Sequence, residues 1–283
     1  MKNYRIQYKK YYYDSESFIF YEIIGDGEIP VILIHGFASS HLNWHSITAL
    51  FTSGNYTFYL IDLKGFGLSS KPKDLYYTLN DQALLIKKII KKEKLQKIVV
   101  AGHSLGGGVA LALYTSMEGS GSIDKLILMD AAAFNDHIPL FVKLLKTPVI
   151  RKLFLMLIPS SKKLIKLAIQ RVYADKRKVS EEIVGRYQPF FYKKSFHHVY
   201  LKTVKGLPPS NYEEMIKKYS DISIPVLIIW GDSDPVLPLL HGKRLHRLIP
   251  HSKLSIIEHC GHVPQEEKAI ETYREISKFI EAN

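Results

Sequence analysis

Short apolar segments recur along the chain and limit the folds that it can adopt. Most of them are apolar at every position, a pattern typical of strands in a parallel sheet that is covered on both faces. The sequence therefore predicts a sheet that lies between two layers of helices. Seven segments have the β-branched or aliphatic character and the flanking turn residues of strands: Phe18–Ile24, Val31–Ile34, Phe58–Ile61, Ile98–Ala101, Leu126–Met129, Val226–Trp230 and Leu254–Ile257.

Helical patterns lie between these strands. Residues Leu79–Lys92 repeat apolar side chains at helical spacing with lysines opposite, which predicts an amphipathic crossover helix. A second helix is expected after Gly106. Strand and helix alternate up to Asp130 and resume at Pro225, so we expect a doubly wound α/β architecture.

The stretch from Phe134 to Lys218 breaks this alternation. It contains no convincing strand, and its Lys-rich helical segments are interrupted by prolines. We therefore expect an all-helical insertion at residues 134–218. It divides an α/β core into a first part, residues 1–133, and a second part, residues 219–283.

The excess positive charge of the chain belongs to this insertion. The net charge is +12, and residues 134–218 hold 18 Lys and Arg against 6 Asp and Glu, so the remaining residues balance. Nucleic acid is not an expected partner, because no recognised nucleic-acid motif accompanies the charge. We favour a solvated lysine face, which is the usual state of charge runs. The alternative is peripheral contact with an anionic membrane through the basic and apolar residues between Leu140 and Lys166.

Other features favour a cytoplasmic protein. The N-terminal segment Met1–Phe18 has no apolar stretch of the kind that a secretory signal needs. The longest aliphatic run, Leu153–Ile158, is much shorter than the about 20 residues that cross a bilayer. Because Cys260 is the only cysteine, no intramolecular disulfide or cysteine-based zinc site can form. The sequence leaves the oligomeric state open.

A serine motif joins a predicted strand to a predicted helix. The strand Ile98–Ala101 runs directly into the pentapeptide GHSLG at positions 102–106, and small, helix-compatible residues follow. This context predicts a nucleophile elbow, a turn so sharp that glycines must flank the serine. Ser104 is then expected at the N-terminus of a helix, where backbone amides favour a developing negative charge.

A serine hydroxyl needs a base, and a histidine base needs an acid that orients it. Among the 12 histidines, His262 is the best placed, because it follows the last predicted strand through a short loop. His259 is its nearest rival. Asp234, just past the strand that ends at Trp230, is the predicted acid, and Asp130 is the second candidate.

The order of these residues along the chain also carries information. Ser104, Asp234 and His262 follow one another in the order of the α/β-hydrolase fold, which differs from the two common serine protease orders. Acyl transfer also needs amide donors for a tetrahedral oxyanion. We predict the backbone N–H groups of Phe37, in the loop after the second predicted strand, and of Leu105, the residue after the nucleophile. This chemistry requires no metal or organic cofactor.

These motifs resemble those of the lipase and esterase branch of the α/β-hydrolase superfamily. The resemblance implies a mostly parallel eight-stranded sheet with helices on both faces and a helical cap after the sixth strand, the position of residues 134–218. It also implies that Ser104 attacks a carboxylic ester and forms an acyl-enzyme. The resemblance extends from about Phe18 to the C-terminus and includes HGF at 35–37, DLKGFGLS at 62–69, GHSLGG at 102–107, Gly231-x-x-Asp234 and Gly261-His262.

Relatives with other activities share this scaffold. Haloalkane dehalogenases and epoxide hydrolases place aspartate where this chain has Ser104, which argues against both. Carbon–carbon bond hydrolases do use serine, and Asn43-Trp44 resembles part of their loop, but their Gly- and Pro-rich stretch is replaced by FASS at 37–40. Thioester hydrolysis, perhydrolysis and a non-catalytic ligand receptor on the same scaffold stay open. The apolar and basic composition of the insertion favours lipid-like or long acyl esters as the substrate.

Overall fold

Eight strands form one mostly parallel sheet in the computed structural model, which describes residues 5–52, 55–117, 120–136, 147, 161–191, 196–207 and 212–282. The strand order is β1-β2-β4-β3-β5-β6-β7-β8. Strand β2 is antiparallel to both of its neighbours, and all other neighbouring strands run parallel. This confirms the predicted fold class. The strands are β1 (Ile6–Tyr12), β2 (Phe18–Ile24), β3 (Ile29–Ile34), β4 (Tyr56–Ile61), β5 (Ile98–His103), β6 (Ile123–Met129), β7 (Val226–Gly231) and β8 (Ser252–Ile257).

Helices connect most of these strands. The crossover helix expected over Leu79–Lys92 is present and begins at a capping box, in which Thr78 and Asp81 exchange side-chain and backbone hydrogen bonds. Within the described residues the α-helices are α1 (His45–Thr48), α2 (Leu79–Glu93), α3 (Leu105–Ser116), α4 (Lys162–Gln170), α5 (Glu181–Phe191), α6 (Phe196–Lys205), α7 (Tyr212–Lys217), α8 (Leu239–Leu248), α9 (Pro264–Glu267) and α10 (Ala269–Glu281).

The central strands are apolar throughout because each of their faces enters a different core. In β3, Ile32 and Ile34 pack in the core that includes α2 and α3. Val31 and Leu33, which alternate with them, pack in the core that includes α1 and α10. Each fully buried side chain of this size contributes about 1.5–3 kcal/mol through the hydrophobic effect. The two layers of helices predicted from the strand pattern are therefore present.

Strand β1 is the strand that the apolar pattern does not indicate. It lies at the edge of the sheet, where it pairs with β2 alone. Ile6, Tyr8 and Tyr12 are 51%, 66% and 55% exposed. An edge strand with one open face needs few buried side chains, so its Lys- and Tyr-rich sequence carries only a weak strand signal.

The chain between β6 and β7 is helical in the parts that the structure describes, where it forms α4 to α7 without a strand. This agrees with the all-helical insertion, whose limits at 134 and 218 stay a prediction. The basic and apolar residues from Leu140 to Ile158, on which the membrane interpretation depends, lie outside the described residues apart from Thr147. None of the described helices is long and apolar enough to cross a membrane.

Candidate active site

Ser104 occupies a strained turn between β5 and α3. Its backbone angles are φ 52° and ψ −116°, outside the regions that L-residues favour, at a cost of about 1–3 kcal/mol. The surrounding backbone holds this conformation. The Ser104 N–H donates to the carbonyl of Met129 at 2.9 Å, and the Ser104 carbonyl accepts from Ala132 N–H at 2.9 Å. The end of β6 and the chain after it therefore fix the serine from both sides.

Two glycines make this turn possible. A Cβ atom on Gly102 would lie 2.2 Å from the carbonyl oxygen of Gly106. A Cβ atom on Gly106 would lie 2.3 Å from the carbonyl oxygen of Ile34, at the end of β3. Real Cβ atoms do not approach backbone this closely, so the two flanking positions of the pentapeptide accept glycine only.

The three side chains predicted to act together form one hydrogen-bonded chain. The Nε2 atom of His262 lies 2.8 Å from Ser104 Oγ, and its Nδ1 atom lies 2.7 Å from Asp234 Oδ2. The second carboxylate oxygen of Asp234 accepts from the N–H groups of Val236 and Leu237 at 2.7 and 3.0 Å. With Nδ1–H donating to the carboxylate, Nε2 is left to accept from the serine hydroxyl.

The surroundings of Asp234 keep it ionised. Burial alone would raise its pKa, but the adjacent His262 and the N–H groups of Val236 and Leu237 lower the pKa below its usual value. The group that faces His262 Nδ1 is therefore a charged carboxylate.

Asp130, the second candidate for the acid, lies in the same cluster in a different state. One carboxyl oxygen accepts from the Gly231 N–H at 3.0 Å. Polar atoms of Asp130, Asp234 and His262 lie within 4.8 Å of one another. Burial, followed by the charge of Asp234, raises the pKa of Asp130 well above its usual value. Two adjacent buried carboxyls do not both ionise, so Asp130 is a neutral neighbour of the acid that bonds to His262.

Other histidines near the serine support the site without contacting its hydroxyl. His103 Nε2 donates to the backbone carbonyl of His262 at 2.6 Å, and burial lowers the pKa of His103 to about 3. His35 accepts from the Leu63 N–H at 3.1 Å, and burial lowers its pKa to about 4. Both are therefore neutral structural groups. His259, the rival base, is exposed.

The two predicted amide donors belong to segments that lie next to the serine. Leu105 is the first residue of α3, and the first amides of a helix have no acceptor within it. A Cβ atom on Gly36 would lie 3.1 Å from Ser104 Cβ, so the chain after β3 passes directly against the serine. Phe37 is the next residue. Its ring lies 4.3 Å from the ring of Tyr200 in α6 and 5.8 Å from that of Phe66, centre to centre.

Glu267 is a buried residue beside the site that sequence reasoning missed. Its buried carboxylate accepts from the Gly261 N–H at 2.7 Å and from the N–H groups of Ala174 and Asp175 at 3.1 and 2.7 Å. It therefore joins the histidine loop to the segment between α4 and α5. A glutamate at the end of a short helix is usually exposed, so the sequence carries no signal for this contact.

The same segment contacts the histidine directly. The backbone N–H of His262 donates to the carbonyl of Val172 at 2.7 Å. A Cβ atom on Gly261 would lie 2.4 Å from that carbonyl oxygen, so glycine is required for the contact. The segment between α4 and α5 thus contacts the backbone that carries His262.

The chain belongs to the α/β hydrolase fold family, whose pattern it matches over residues 29–269. It is 26% identical over 264 residues to the uncharacterized hydrolase YugF of Bacillus subtilis, covering 90% of each chain. It is 25% identical over 270 residues to Lipase 1 of Psychrobacter immobilis, covering 89% of this chain and 78% of the lipase. A crystallised 2-hydroxy-6-oxo-6-phenylhexa-2,4-dienoate hydrolase from Rhodococcus has the same fold, with a TM-score of 0.82, 20% identity and coverage of 99% and 100%. The protein is therefore a hydrolase of this family.

Proposed function

We propose that the protein hydrolyses carboxylic esters through an acyl-enzyme formed on Ser104. The observation that supports this most strongly is the unbroken chain of hydrogen bonds from Asp234 through His262 to the serine hydroxyl, at 2.7 and 2.8 Å. An imidazole that a carboxylate orients on one side and that accepts from a hydroxyl on the other is the arrangement required for general-base activation of serine. The similarity to a lipase is a second support.

In the first half of the proposed reaction, Ser104 Oγ attacks the ester carbonyl while His262 Nε2 takes its proton. The ionised Asp234 stabilises the imidazolium that forms. The negative charge on the carbonyl oxygen is stabilised by the N–H groups of Phe37 and Leu105, the kind of interaction that is often the largest electrostatic contribution to catalysis. His262 then protonates the leaving alcohol, and the acyl group stays on Ser104.

In the second half, a water molecule attacks the acyl-enzyme and His262 takes its proton. The second tetrahedral intermediate has its oxyanion between the same two N–H groups. Its collapse releases the carboxylic acid and returns the proton to Ser104 Oγ, so no group is consumed besides ester and water.

We further propose that residues 134–218 act as a cap that shapes the acyl pocket. The support is the contact of Val172 with the histidine loop and the aromatic contacts of Phe37 with Tyr200 and Phe66. Apolar rings next to a proposed oxyanion donor favour an apolar acyl chain.

The lysines of the insertion are assigned to solvent in this proposal. In α4, Ile165 and Ile169 are buried, while Lys162 and Lys166 both pair with Glu181 on α5 at 2.8 Å. Assays of acetyl to palmitoyl esters, with and without anionic vesicles, test this assignment. Long-chain preference without vesicle activation supports a solvated cap, and activation by vesicles supports membrane contact instead.

Carbon–carbon bond hydrolysis is less well supported by the residues that suggested it. The Asn43 side chain donates to Tyr187 and accepts from Gln265, at 3.2 and 2.6 Å. Trp44 is fully buried in the core that includes α1 and α10. Both side chains therefore have structural partners within this chain.

Steady turnover of p-nitrophenyl butyrate tests the proposal. A matched thioester and a 2-hydroxy-6-oxohexa-2,4-dienoate, the kind of compound that carbon–carbon bond hydrolases cleave, are assayed in parallel. We expect the ester to be preferred, and His262→Ala to lose about 10⁴-fold or more in kcat. The matched control is His259→Ala, which removes an exposed imidazole three positions away and should retain wild-type turnover. Preference for another bond would reassign the substrate, and saturable ester binding with negligible turnover would indicate a receptor.

A further inference from the structure

A second cluster of histidines and carboxylates lies beside β2 and β4 and takes no part in the proposed reaction. We call it the β2 cluster: Glu22 on β2, His41 in the short 3-10 turn before α1, His45 at the start of α1, and Asp62 directly after β4. The two histidines are four positions apart on one helical stretch, so their rings project to the same side. The ring centres are 5.9 Å apart.

Three nitrogen and oxygen atoms in this cluster converge on one point. His45 Nε2 lies 2.6 Å and His41 Nε2 lies 4.0 Å from the same carboxylate oxygen of Glu22. All three ligand atoms lie within 4.8 Å of one another. Ligand atoms at about 2.0–2.1 Å from a tetrahedral Zn²⁺ are roughly 3.3 Å apart, a value between the two observed distances. Zinc binding therefore requires the Glu22–His45 distance to lengthen and the Glu22–His41 distance to shorten, each by about 0.7 Å.

Asp62 orients His41 as the outer carboxylate of a metal site does. His41 Nδ1 lies 3.0 Å from both Asp62 oxygens, and the backbone N–H of His41 donates to one of them at 2.6 Å. The ring is therefore oriented with Nδ1 toward Asp62 and Nε2 toward Glu22. Metal-bound histidines almost always donate their other ring N–H to such a group.

The charges of the cluster favour a cation. Glu22 and Asp62 are 2% and 0% exposed, and in the described part of the chain the groups that can offset their charge are His41 and His45. Two buried carboxylates are costly unless they are compensated by positive charge. The His45 side chain is 36% exposed, so solvent reaches the cluster from one side.

We propose that Glu22, His41 and His45 bind one Zn²⁺ ion, with Asp62 as the outer partner of His41. Two imidazoles and a carboxylate form a donor set that suits Zn²⁺, and a water molecule completes the tetrahedron from the side of His45. The ion joins β2 to the turn that follows the Phe37 loop. Its role is structural, and the proposed ester hydrolysis does not use it.

Titration of chelator-treated, full-length protein with ZnSO₄ tests this proposal, with binding followed by calorimetry and thermal unfolding followed by circular dichroism. We expect one equivalent of Zn²⁺ per chain and a higher midpoint of unfolding. His45→Gln removes one ligand at a partly exposed position, so it should fold and bind zinc at least about 100-fold more weakly. The matched control is His251→Gln, which changes an exposed histidine elsewhere and should bind as the wild type does.

Three results would overturn the proposal. The first is the absence of zinc binding at one equivalent in the wild type. The second is equal zinc affinity in the His45→Gln and His251→Gln variants. The third is loss of binding in His262→Gln together with its retention in His45→Gln, which would assign the ion to the group formed by Asp130, Asp234 and His262.

Discussion

His262 and His41 each face an aspartate through Nδ1, yet their Nε2 atoms face different groups. The distances to the aspartates are 2.7 Å for His262 and Asp234, and 3.0 Å for His41 and Asp62. Nε2 of His262 faces a serine hydroxyl, whereas Nε2 of His41 faces the carboxylate of Glu22. The aspartate thus sets the orientation of the ring, and the group at Nε2 determines what the ring can do.

The surroundings of the two rings also differ in the sign of the charge that they favour. Ser104 lies at the start of α3, where the first backbone amides have no acceptor within the helix, and the Gly36 backbone lies against it. In the β2 cluster a second buried carboxylate replaces the hydroxyl, so positive charge is favoured there. One pair is therefore suited to activating a nucleophile and the other to holding a cation.

Replacing the aspartate of each pair by asparagine should show the difference between the two sites most clearly. Asp234→Asn should lower kcat by about 10⁴-fold, because it removes the charge and favours the wrong imidazole tautomer. Asp62→Asn should instead lower the free energy of unfolding by about 3–5 kcal/mol, because buried charge-assisted hydrogen bonds to His41 and Leu68 are lost. Ester turnover and urea unfolding measure the two effects. Wild-type turnover in Asp234→Asn would contradict the proposed role of this acid.

Glu267→Gln should loosen the histidine loop without touching the reacting groups. A glutamine can accept with one oxygen only and turns its NH₂ toward a backbone donor, so we expect a loss of about 2–4 kcal/mol in unfolding free energy. Displacement of His262 should lower kcat by about tenfold or more. The control is Glu271→Gln, at a 49% exposed side chain on the adjoining helix α10, which should change neither quantity. Equal behaviour of the two variants would assign no positioning role to Glu267.

The two carboxyls of the serine site should give opposite trends of stability with pH. Because the pKa of Asp130 is raised, the folded chain keeps a proton that the unfolded chain releases above about pH 4. The contribution of this group to the free energy of unfolding falls as pH rises toward the folded pKa. Between pH 4 and 7, Asp130→Asn should therefore become more stable relative to the wild type. Because the pKa of Asp234 is lowered, its contribution is present above about pH 4 and is lost as pH falls through the folded pKa.

Urea unfolding of the Asp130→Asn, Asp234→Asn and wild-type proteins at several pH values measures these trends. Parallel stability curves for the three proteins would mean that the two carboxyls titrate alike, against the assignment of one neutral and one charged group.

Exposure of Cys260 to a thiol reagent should have the smallest effect on ester turnover. This cysteine lies between the two core residues Ile257 and Val263. The side chain is fully buried, and burial raises the pKa of its thiol. Because the thiolate is the reactive form, a thiol reagent should leave ester turnover unchanged. Reaction with dithionitrobenzoate should reach one thiol per chain in denaturant and none in the native state. Rapid labelling of native protein would show that the histidine loop opens.

Local patterns in the sequence predict most of the fold. Strands β2 to β7 are indicated because their side chains are mostly buried, and β8 because it is an aliphatic run bounded by turn residues. Strand β1 is missed because its Lys- and Tyr-rich side chains are largely exposed at an edge. The serine turn is predictable because its steric demands act between near neighbours, such as Gly102 and Gly106. The sheet then brings Asp234 and His262 to the same edge, since the carboxyl ends of parallel strands lie together.

The remaining features depend on contacts between distant segments. Glu267 acquires its role through backbone groups of Ala174 and Asp175, which are 93 and 92 positions away. The neutral state of Asp130 depends on its distance from Asp234, and the β2 cluster depends on β2 lying next to β4. A single sequence carries no signal for such pairs, so they emerge only from the folded chain.

Labelling with an alkyl fluorophosphonate tests the central claim most directly, because this reagent is attacked by an activated serine and stays attached to it. Peptide mass spectrometry after brief exposure should show one label per chain, on the peptide that contains Ser104. Labelling should be absent in Ser104→Ala and strongly reduced in His262→Ala. An unlabelled wild-type protein, or equal labelling of wild type and Ser104→Ala, would contradict the account.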